Sequence, residues 1–334
     1  MTSAVLVAGG AGYVGAHACK SLARAGFCPV VVDNLSTGHR DFVRWGPLVE
    51  ADLKETAAVA AAIRRHGCVA VLHFAASAYV GESVTDPAKY YENNVAGTLS
   101  LLRAMRTEGC SVLVFSSTCA VYGEPQQVPI DEEAPRKPIN PYGASKLMVE
   151  RILADFRPAY GLCSAALRYF NACGADPEGE LGELRDPETH LIPRAMMALQ
   201  GHAPDFTVFG ADFETPDGTA IRDYVHVSDL ADAHVAALAK LLGGAPGGVF
   251  NLGTGRGYSV KEVLEAIESE AGERVPRVSG PRRPGDPAVL VASAARARET
   301  LGFEPVRSDL TSIVRTAWAW HRRAHPRRNA LPEL

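Results

Sequence analysis

The chain has 334 residues, enough for about two domains at the ~150 residues typical of one domain. Apolar residues make up 47% of it and charged residues 22%, which is typical of a globular protein, and a net charge of −4 gives no field that would recruit nucleic acid. No signal peptide precedes the first predicted strand, and no apolar run approaches the ~20 residues of a membrane span. We therefore expect a cytoplasmic protein that binds neither nucleic acid nor membrane.

Cysteine and histidine patterns predict no covalent or metal framework. The seven cysteines form no C-x-x-C pair, and their odd number does not suit a set of disulfides. The histidines form no H-E-x-x-H or comparable cluster, so no metal site is predicted. The basic segment 321–328 is short and contains Pro326, and we interpret it as a solvated tail rather than a nucleic-acid patch.

Short aliphatic runs alternate with longer helical patterns along the first two-thirds of the chain. Because the runs are almost continuously hydrophobic, they predict strands covered on both faces, as in a parallel sheet. Strands are predicted at 4–7, 29–32, 69–73, 112–115 and 164–168, and crossover helices at 13–25, 54–66 and 97–108. This repetition predicts an α/β fold with a Rossmann-type, doubly wound parallel sheet that binds its ligand at the carboxyl ends of the strands.

The pattern changes after Asn171. Segment 172–223 is rich in glycine, proline and acidic residues, and we predict a loop-rich insertion there rather than more sheet, with one helix near 192–200. The later patterns predict a helix at 229–242, a strand at 249–252, a helix at 260–271 capped by Ser259 or a neighbour, and a last helix near 310–321. We predict a first domain of residues 1–171 with a return segment at about 222–248, and a smaller mixed α/β C-terminal domain of residues 172–221 and 249–334.

A glycine-rich loop follows the first predicted strand. Residues 9–15 read GGAGYVG, an array in which Gly9, Gly12 and Gly15 lead into a helix. Such glycines permit a tight turn and close approach of the backbone to a pyrophosphate, and the helix N-terminus supplies free N–H donors. The triplet alone could be an ordinary turn, but its place between a strand and a helix predicts a dinucleotide site.

Asp33 ends the second predicted strand, about 20 residues after this loop. A carboxylate there can bind both ribose hydroxyls and repel a 2′-phosphate, which favours NAD over NADP. The alternative is a turn-forming aspartate before Asn34, which explains less. Asp52 and Leu53 follow the third short strand and could flank the adenine, with a helix cap as the alternative role of Asp52.

The most informative residues, 140–146, read NPYGASK. Asn140 can cap a helix and Pro141 can begin it, which places Tyr142 and Lys146 at i and i+4 on one helix face. A phenol with a pKa near ~10 is a poor base at neutral pH. A neighbouring ammonium and the positive charge of a nicotinamide would both favour the phenolate and lower that pKa. A surface tyrosine and lysine at chance spacing are the alternative.

The end of the predicted strand 112–115 supports a catalytic role. The strand continues into residues 116–123, which read SSTCAVYG, and hydroxyls at the carboxyl end of a sheet strand face the ligand crevice. Thr118 is therefore placed to share a substrate hydroxyl with Tyr142. The nucleotide loop, the strand-end hydroxyl and Y-x-x-x-K, in this order, predict an NAD-dependent enzyme that acts on an alcohol.

In these motifs the chain resembles the extended short-chain dehydrogenase/reductase family, and within it the UDP-glucose 4-epimerases and their UDP-xylose- and UDP-arabinose-acting relatives. The similarity covers nearly the whole chain. Further motifs that carry it are residues 32–35 (VDNL), 73–76 (HFAA), 81–83 (GES), 93–95 (NNV), 168–171 (RYFN), 222–224 (RDY), 251–255 (NLGTG) and 282–286 (RRPGD). The resemblance implies an isomerase of galactose metabolism that reversibly inverts the 4-hydroxyl of a UDP-sugar through a 4-keto intermediate.

The resemblance also implies roles for individual residues: Tyr142 as the base, Lys146 on the nicotinamide ribose, and Thr118 on the reacting hydroxyl. Further implied NAD contacts are Gly9, Gly12, Tyr13, Val14, Gly15, Asp33, Asn34, Ser36, Thr37, Gly38, Asp52, Leu53, Phe74, Ala75, Ala76, Asn93, Ser116 and Tyr169. Besides Thr118 and Tyr142, the implied substrate contacts are Asn171, His190, Leu191, Phe209, Arg222, Tyr224, Arg283, Asp286 and Leu290. The first domain would thus bind NAD and the second the UDP-sugar.

Within that second set, Asn171 and the two arginines would hold the diphosphate, Phe209 would lie against uracil, and Asp286 would bind the uridine ribose. A guanidinium fork suits a diphosphate, although for each arginine alone a surface salt bridge is the plainer interpretation. The family also implies a homodimer, formed through the helices that flank the third and fourth βα units.

Three positions depart from the family pattern. Ala78 stands where bacterial members often have a lysine near NAD. Thr189 and His190 replace a paired asparagine, so we expect His190 to approach the substrate instead. Leu290 stands at the gatekeeper position for bulky 2-substituents, and its size leaves acceptance of N-acetylated sugars open.

The same scaffold hosts several activities, so the fold alone does not decide among them. Dehydratases follow the strand-end threonine with an Asp-Glu pair and decarboxylating relatives carry a glutamate there, whereas this chain has Cys119 and Ala120. We therefore predict epimerisation, with a nucleotide-sugar 4,6-dehydratase or 4-keto reductase as the alternative. A non-catalytic NAD-sensing regulator is a further alternative that the retained Tyr142 and Lys146 disfavour. Hexose and pentose substrates differ by one hydroxymethyl group, worth only about 1–3 kcal/mol, and are not distinguished.

Overall fold

The computed structural model describes residues 3–283 and 285–327. The strands in these residues are β1 (Ala4–Ala8), β2 (Cys28–Asp33), β3 (Leu48–Glu50), β4 (Cys68–His73), β5 (Val112–Thr118), β6 (Cys163–Tyr169), β7 (Asn171–Cys173), β8 (Phe206–Phe209), β9 (Ile221–His226), β10 (Gly248–Leu252), β11 (Gly257–Ser259), β12 (Arg277–Gly280) and β13 (Val289–Leu290). The helices are α1 (Tyr13–Arg24), α2 (Thr56–His66), α3 (Val80–Thr85), α4 (Pro87–Tyr90), α5 (Gly97–Thr107), α6 (Pro141–Tyr160), α7 (Leu191–Leu199), α8 (Val227–Leu242), α9 (Val260–Ala271), α10 (Ala295–Leu301) and α11 (Leu310–Ala324). Pro284 of the 282–286 motif and Arg328 of the basic tail lie outside the described residues.

A seven-stranded parallel sheet forms the larger part of the molecule, with the order β10-β6-β5-β4-β1-β2-β3. The apolar strand residues pack on both faces, as the continuous hydrophobic runs predicted. Helices α1 and α8 cover one face, and α2, α5 and α6 cover the other. The chain winds from β1 towards β3 and later from β4 towards β10, so a crevice opens between β1 and β4 at their carboxyl ends. The predicted doubly wound α/β fold is confirmed.

A smaller part adjoins this sheet. Its four-stranded sheet has the order β11-β9-β13, and β7 also pairs with β9, while β8 and β12 form a separate pair. Helices α7, α9 and α11 enclose a core of their own with residues such as Met196, Leu264 and Val314. Strand β7 begins two residues after β6 ends, so the chain passes directly from the large sheet to the small one.

Segment 172–223 contains more sheet than we predicted. Most of the segment is loop, as predicted, but the expectation of no further sheet was wrong, because β7, β8 and the start of β9 lie in or border it. The partners of β9 come from distant parts of the chain, so neither its pairing nor its burial is visible in the local pattern. Strand β10 extends the large sheet beside β6, whereas the predicted boundary put residues 249–252 in the second domain.

The predicted helix starts follow local chemistry. The Asn140 side chain accepts a hydrogen bond from the Gly143 N–H at 2.8 Å, and Pro141 is the first residue of α6. Ser259 and Glu262 form a reciprocal capping box at the start of α9. Among the described helices, none is both long and apolar enough to cross a membrane.

Candidate active site

The glycine loop between β1 and α1 is shaped by close backbone contacts. Gly9 has φ +79°, and a Cβ there would lie 2.5 Å from the Ala75 nitrogen. A Cβ on Gly15 would lie 2.1 Å from the Gly9 carbonyl oxygen, so a side chain fits at neither position. The loop therefore packs against the turn after β4 and opens the N-terminus of α1 to the crevice, which fits a bound pyrophosphate.

Asp33 at the end of β2 is tied to this loop. Its carboxylate accepts the Ala11 N–H at 3.0 Å and the Leu35 N–H at 2.9 Å. Burial raises the pKa of Asp33, and these backbone hydrogen bonds oppose the rise. A Cβ on Gly38 would lie 2.9 Å from the carboxylate, so the predicted 36–38 segment does lie beside Asp33. The aspartate is thus both a turn former and a carboxylate at the strand end.

The residues expected near the adenine lie together after β3. Asn34 donates to the Asp52 carboxylate at 2.9 Å, and the other Asp52 oxygen accepts the Lys54 N–H at 2.8 Å. Leu53 is buried, and its carbonyl accepts from Ser100. Asp52 therefore forms a turn next to Asn34, and its alternative role as a helix cap was wrong, because the N-cap of α2 is Glu55.

Tyr13 has a packing role that its sequence position did not indicate. Its hydroxyl donates to the Gly174 carbonyl at 2.6 Å, and its ring meets His17 edge to face at 5.3 Å. The side chain is buried, which leaves the backbone of Tyr13 and Val14 as the part available to a dinucleotide.

The turn after β4 is held by an amide that we had not singled out. Phe74 and Ala75 both donate backbone hydrogen bonds to Ala8, which fixes the turn against β1. Asn94 is buried in a π-helical turn, accepts the Ser77 N–H at 2.8 Å and donates to the Ser145 hydroxyl at 2.9 Å.

The neighbouring Asn93 donates to the Ser77 hydroxyl at 3.2 Å, so both asparagines of the 93–95 motif contact this turn. The turn is thereby linked through Asn94 to α6, the helix that carries Tyr142.

The three predicted catalytic residues meet at the carboxyl ends of β5 and β6. Lys146 donates to the Ser116 carbonyl at 2.8 Å, and its ammonium lies 4.8 Å from the Phe115 ring centroid. The Tyr169 hydroxyl is 2.6 Å from the Ser116 hydroxyl. The Thr118 hydroxyl lies close enough to Tyr142 to lower the pKa of its phenol. The structure thus places the phenol, the ammonium and the strand-end hydroxyl in one cluster, as the sequence predicted.

The pKa directions in this cluster differ from our expectation. Burial raises the pKa of Tyr142, the neighbouring Tyr169 adds to the rise, and the Thr118 contact opposes it. Burial lowers the pKa of Lys146 to about 7, opposed by the Glu150 carboxylate. The prediction of a lowered Tyr142 pKa was wrong for the protein's own groups, because desolvation by burial is the largest influence on the phenol. The positive charge of a bound nicotinamide would favour the phenolate.

A buried ion pair between Glu150 and Arg168, which the sequence did not predict, lies next to the cluster. Glu150 lies one turn beyond Lys146 on α6, and its carboxylate accepts the Arg168 guanidinium at 2.9 and 2.5 Å. Ser117 donates to the same carboxylate, and Arg168 also donates to the Tyr122 hydroxyl at 2.8 Å. Arg168 begins the 168–171 motif, which was the available signal. The pair fastens the catalytic helix to β5 and β6.

A cleft of about 420 Å³ lies in the smaller part of the molecule, within the size range of small-ligand sites. Predicted substrate residues that line it are Asn171, His190, Leu191, Phe209, Arg222, Tyr224, Arg283 and Asp286. Thr118, Tyr142 and Leu290 are not among its lining residues. Leu290 lies opposite Arg222 in the β13–β9 register and packs on the apolar cluster around Tyr122.

The cleft combines cations with an aromatic ring. Arg222 pairs with the Asp286 carboxylate and donates to the Ile221 carbonyl at 2.7 Å. The Arg283 guanidinium lies 4.2 Å from the centroid of the Phe209 ring. Two guanidinium groups beside an aromatic face suit a diphosphate joined to a base.

One wall of the cleft is an ionic network that the sequence did not predict. His190 Nδ1 lies 2.8 Å from a Glu183 carboxylate oxygen and 3.5 Å from Glu188, and Arg185 donates to the same Glu183 oxygen at 2.9 Å. Glu183 and Glu188 are both buried. His190 therefore lines the cleft, with a carboxylate behind it.

This network contains the types of side chain that can bind a metal ion, although the sequence predicted no metal site. Possible ligand atoms of Glu183, Glu188 and His190 lie within 4.8 Å of one another. Since Glu183 already pairs with two cationic side chains, we interpret the group as an ion-pair network rather than a place for a metal ion. A second acidic group, in segment 176–180, surrounds the Lys20 ammonium.

The chain belongs to the NAD dependent epimerase/dehydratase family, whose model matches residues 5–253. Within that family it is 53% identical to the UDP-glucose 4-epimerase of Rhizobium leguminosarum bv. trifolii over 321 residues, 96% of this chain and 98% of that protein. The structure of UDP-glucose 4-epimerase from Brucella ovis in complex with NAD matches with a TM-score of 0.94 and 55% identity, over 95% of this chain and 98% of that one. The enzyme from Bifidobacterium longum in complex with NAD+ and UDP matches with a TM-score of 0.91 and 36% identity, over 97% and 99%.

Proposed function

We propose that this chain is an NAD-dependent UDP-sugar 4-epimerase that interconverts UDP-glucose and UDP-galactose. One observation carries the proposal: Tyr142, Lys146 and Thr118 lie together at the ends of β5 and β6, next to the cationic cleft. The residues of the following strand, β7, line that cleft. An alcohol could therefore react at the strand ends while its nucleotide is held in the cleft. The similar enzymes from R. leguminosarum and B. ovis carry the same activity in their names.

The reaction divides between the two sites. NAD, when bound, would supply a reversible hydride acceptor for the alcohol. Thr118 and Tyr142 hold the 4-hydroxyl, and the Tyr142 phenolate accepts its proton as the carbonyl forms. Lys146, one turn further along α6, would bind the nicotinamide ribose. After the keto sugar has turned its other face, the hydride would return to carbon 4 and Tyr142 would return the proton to the same oxygen, so no net oxidation results.

The cleft keeps the intermediate from escaping. Arg222 and Arg283 would hold the diphosphate, Phe209 would lie against the uracil, and Asp286 would bind the ribose in place of its pairing with Arg222. With the nucleotide fixed, only the bonds of the diphosphate need to rotate for the sugar to present its other face.

Elimination chemistry is disfavoured by the residues after Thr118. Cys119 and Ala120 stand where an acid and a base would be needed, and burial raises the pKa of the Cys119 thiol to about 12. A thiol that stays protonated at neutral pH cannot act as the base of a 4,6-dehydratase. A non-catalytic NAD-sensing regulator is disfavoured because the phenol, the ammonium and the hydroxyl are all assembled.

The residues predicted to contact NAD form part of the proposal. The glycine loop, Asp33 and the 36–38 segment lie near the N-terminus of α1. Phe74 follows β4, Ser116 lies on β5, and Asn93 contacts Ser77 in the turn after β4. Residues 1–171 would thus bind NAD, and the smaller part would bind the UDP-sugar.

Incubation of the NAD-loaded enzyme with UDP-galactose tests the proposal. We expect UDP-glucose to form with no net NADH, by chromatography and absorbance at the nicotinamide band. A stable 4-keto product or stoichiometric NADH would instead indicate a dehydratase or reductase. The same assay with UDP-N-acetylglucosamine shows whether Leu290 admits N-acetylated sugars, and with UDP-xylose it shows whether the enzyme accepts pentoses.

We further propose a homodimer in the cytoplasm. Helices α5 and α6 cover the same face of the large sheet, and Met148 and Tyr160 on α6 are about half exposed. Apolar side chains on neighbouring helices suit a helix-to-helix interface. All seven cysteines are free, which is usual in a reducing compartment.

A further inference from the structure

His190 stands at the start of α7 with its imidazole on the wall of the cleft. The side chain is 45% exposed, while the Glu183 side chain behind it is only 6% exposed. A buried carboxylate thus contacts one ring nitrogen and leaves the rest of the ring open to the cleft. This arrangement presents the imidazole to a ligand and keeps it from turning away.

The loop that carries Glu183 is held from two sides. The Glu183 carbonyl accepts the Trp320 indole N–H from α11 at 2.9 Å. On the other side, the Arg185 guanidinium lies 5.7 Å from the Tyr79 ring, and the Tyr79 hydroxyl donates to the Pro187 carbonyl at 3.1 Å. Contacts with α11 and with the segment after β4 therefore fix the position of the carboxylate.

We propose that His190 is a third cationic donor to the diphosphate of the nucleotide, and that Glu183 is the positioning residue that holds it there. This inference rests on the proposed UDP-sugar epimerase function, because it assigns the diphosphate to the cleft. Arg222 and Arg283 line the same cleft, so the three cations would converge on one dianionic group.

The electrostatics of the network support a charged imidazole. Burial disfavours the cation, but the Glu183 carboxylate outweighs it and raises the pKa of His190 to about 9. Glu188 adds to the rise and Arg185 opposes it. Since the pKa is raised, the ring is protonated at neutral pH and loses its proton as pH rises through that value.

Several other charged or titratable groups surround the pair. On the elements that pack against His190 and Glu183, the charged or titratable groups include Tyr13 on α1, Cys173 on β7, Arg194 on α7, Arg222 on β9, Arg283 and Asp286 before β13, and His321 on α11. Asp286 pairs with Arg222, so the carboxylates that act on His190 are those of Glu183 and Glu188.

UDP affinity of the NAD-loaded enzyme, measured by titration calorimetry between pH 6.5 and 9.5, tests the proposal. We expect His190→Gln to weaken UDP binding roughly tenfold at pH 7, the value of one charge-assisted hydrogen bond. His190→Arg should restore the affinity and remove its fall at high pH, because the guanidinium stays charged. Comparison with this variant also corrects for the titration of UDP itself.

Glu183→Gln tests the positioning role. We expect the fall in UDP affinity to begin at lower pH than in the wild type, with KM raised and kcat nearly unchanged. Glu273→Gln is the matched control, because that carboxylate pairs with Arg327 at the surface and should leave UDP affinity unaltered. Thermal unfolding and NAD content check that each variant is folded.

Unchanged UDP affinity and pH profile in His190→Gln would overturn the inference even if Glu183→Gln failed to fold. A Glu183→Gln profile identical to the wild type would remove the positioning role. If the wild type neither bound UDP nor epimerised a UDP-sugar, the proposed function itself would fail, and these variants would show no difference to interpret.

Discussion

Two side chains one helical turn apart respond to burial in opposite ways. Tyr142 is held in its neutral form and Lys146 has a pKa lowered to about 7, since burial disfavours the charged form of each group. The protein alone therefore keeps the pair close to neutral. The positive charge of a bound nicotinamide would lower both pKa values, favouring the phenolate of Tyr142 and the neutral amine of Lys146, and would tie proton transfer to the presence of the cofactor.

Replacement of Tyr142 by phenylalanine tests this residue as the acid–base group. We expect kcat to fall by roughly 10²–10⁴-fold, the usual contribution of a positioned general base. NAD content and UDP affinity should persist, because the ring still packs against Tyr90. Epimerisation assays with calorimetry would measure both, and retained activity would contradict the assignment.

Lys146 should lower stability while it serves catalysis. Its folded pKa of about 7 lies below the value of 10.5 in the unfolded chain, so the unfolded chain binds more protons between these pH values. Stability therefore rises with pH across that window, and the penalty is complete below it. In NAD-free protein, Lys146→Met should raise the unfolding free energy by on the order of a few kcal/mol at pH 7.

Urea unfolding at pH 7 and pH 9 measures this effect. The advantage of Lys146→Met over the wild type should shrink at the higher pH, while the exposed Lys54→Met should show no such trend. An equal difference at both pH values would mean that the ammonium is not the source.

At the scale of elements, α6 carries its functional groups along one face. Tyr142, Lys146 and Glu150 follow one another at intervals of four residues, so the helix presents the phenol, the ammonium and the carboxylate to β5 and β6. The ion pair between Glu150 and Arg168 fixes the position of this helix face against β6. The pair can therefore help to position the Tyr142 phenol, although neither of its residues is predicted to contact the substrate.

Removal of one partner of this pair should be costly. Glu150→Ala leaves the Arg168 guanidinium, which is 1% exposed, without its counter-charge, and we expect a loss of about 3–5 kcal/mol in unfolding free energy. Arg151→Ala, one residue along, breaks only the exposed pair with Asp155 and should change stability by less than about 0.5 kcal/mol. Similar losses in both variants, measured by chemical unfolding, would contradict this role.

At the scale of the whole molecule, the reacting centre and the nucleotide cleft belong to different sheets. Tyr142, on α6, lies beside the end of β5 in the large sheet, whereas Arg222 lies on β9 in the small sheet. The direct passage from β6 to β7 keeps the two sites next to each other. Because α6 carries Tyr142, a dimer formed through α5 and α6 would also restrain the catalytic helix.

The proposed dimer is tested at Met148, an exposed apolar residue on α6. Met148→Asp would place a charge in an apolar interface, so we expect the sedimentation coefficient to fall from that of a dimer to that of a monomer. Val306→Asp, at an exposed valine outside α5 and α6, is the control. A wild-type monomer at micromolar concentration would contradict the proposed assembly.

The sequence by itself determined the features that depend on neighbours along the chain. Continuous apolar runs indicated the strands of the large sheet, the glycine loop indicated the crevice at α1, and Asn140 with Pro141 indicated where α6 begins. Periodicity, capping and turn chemistry are local, so one sequence suffices to recognise them. The same spacing placed Tyr142 and Lys146 on one face.

Only the tertiary structure decided what depends on residues far apart in the chain. The small sheet gathers strands from 171 to 290, the Glu150–Arg168 pair joins a helix to a strand, and Glu183 lies behind His190 because α11 holds its loop. The pKa directions also belong here, because desolvation depends on everything packed around a group. Distant pairing and burial leave no periodic trace in the sequence, so these features became visible only in the folded chain.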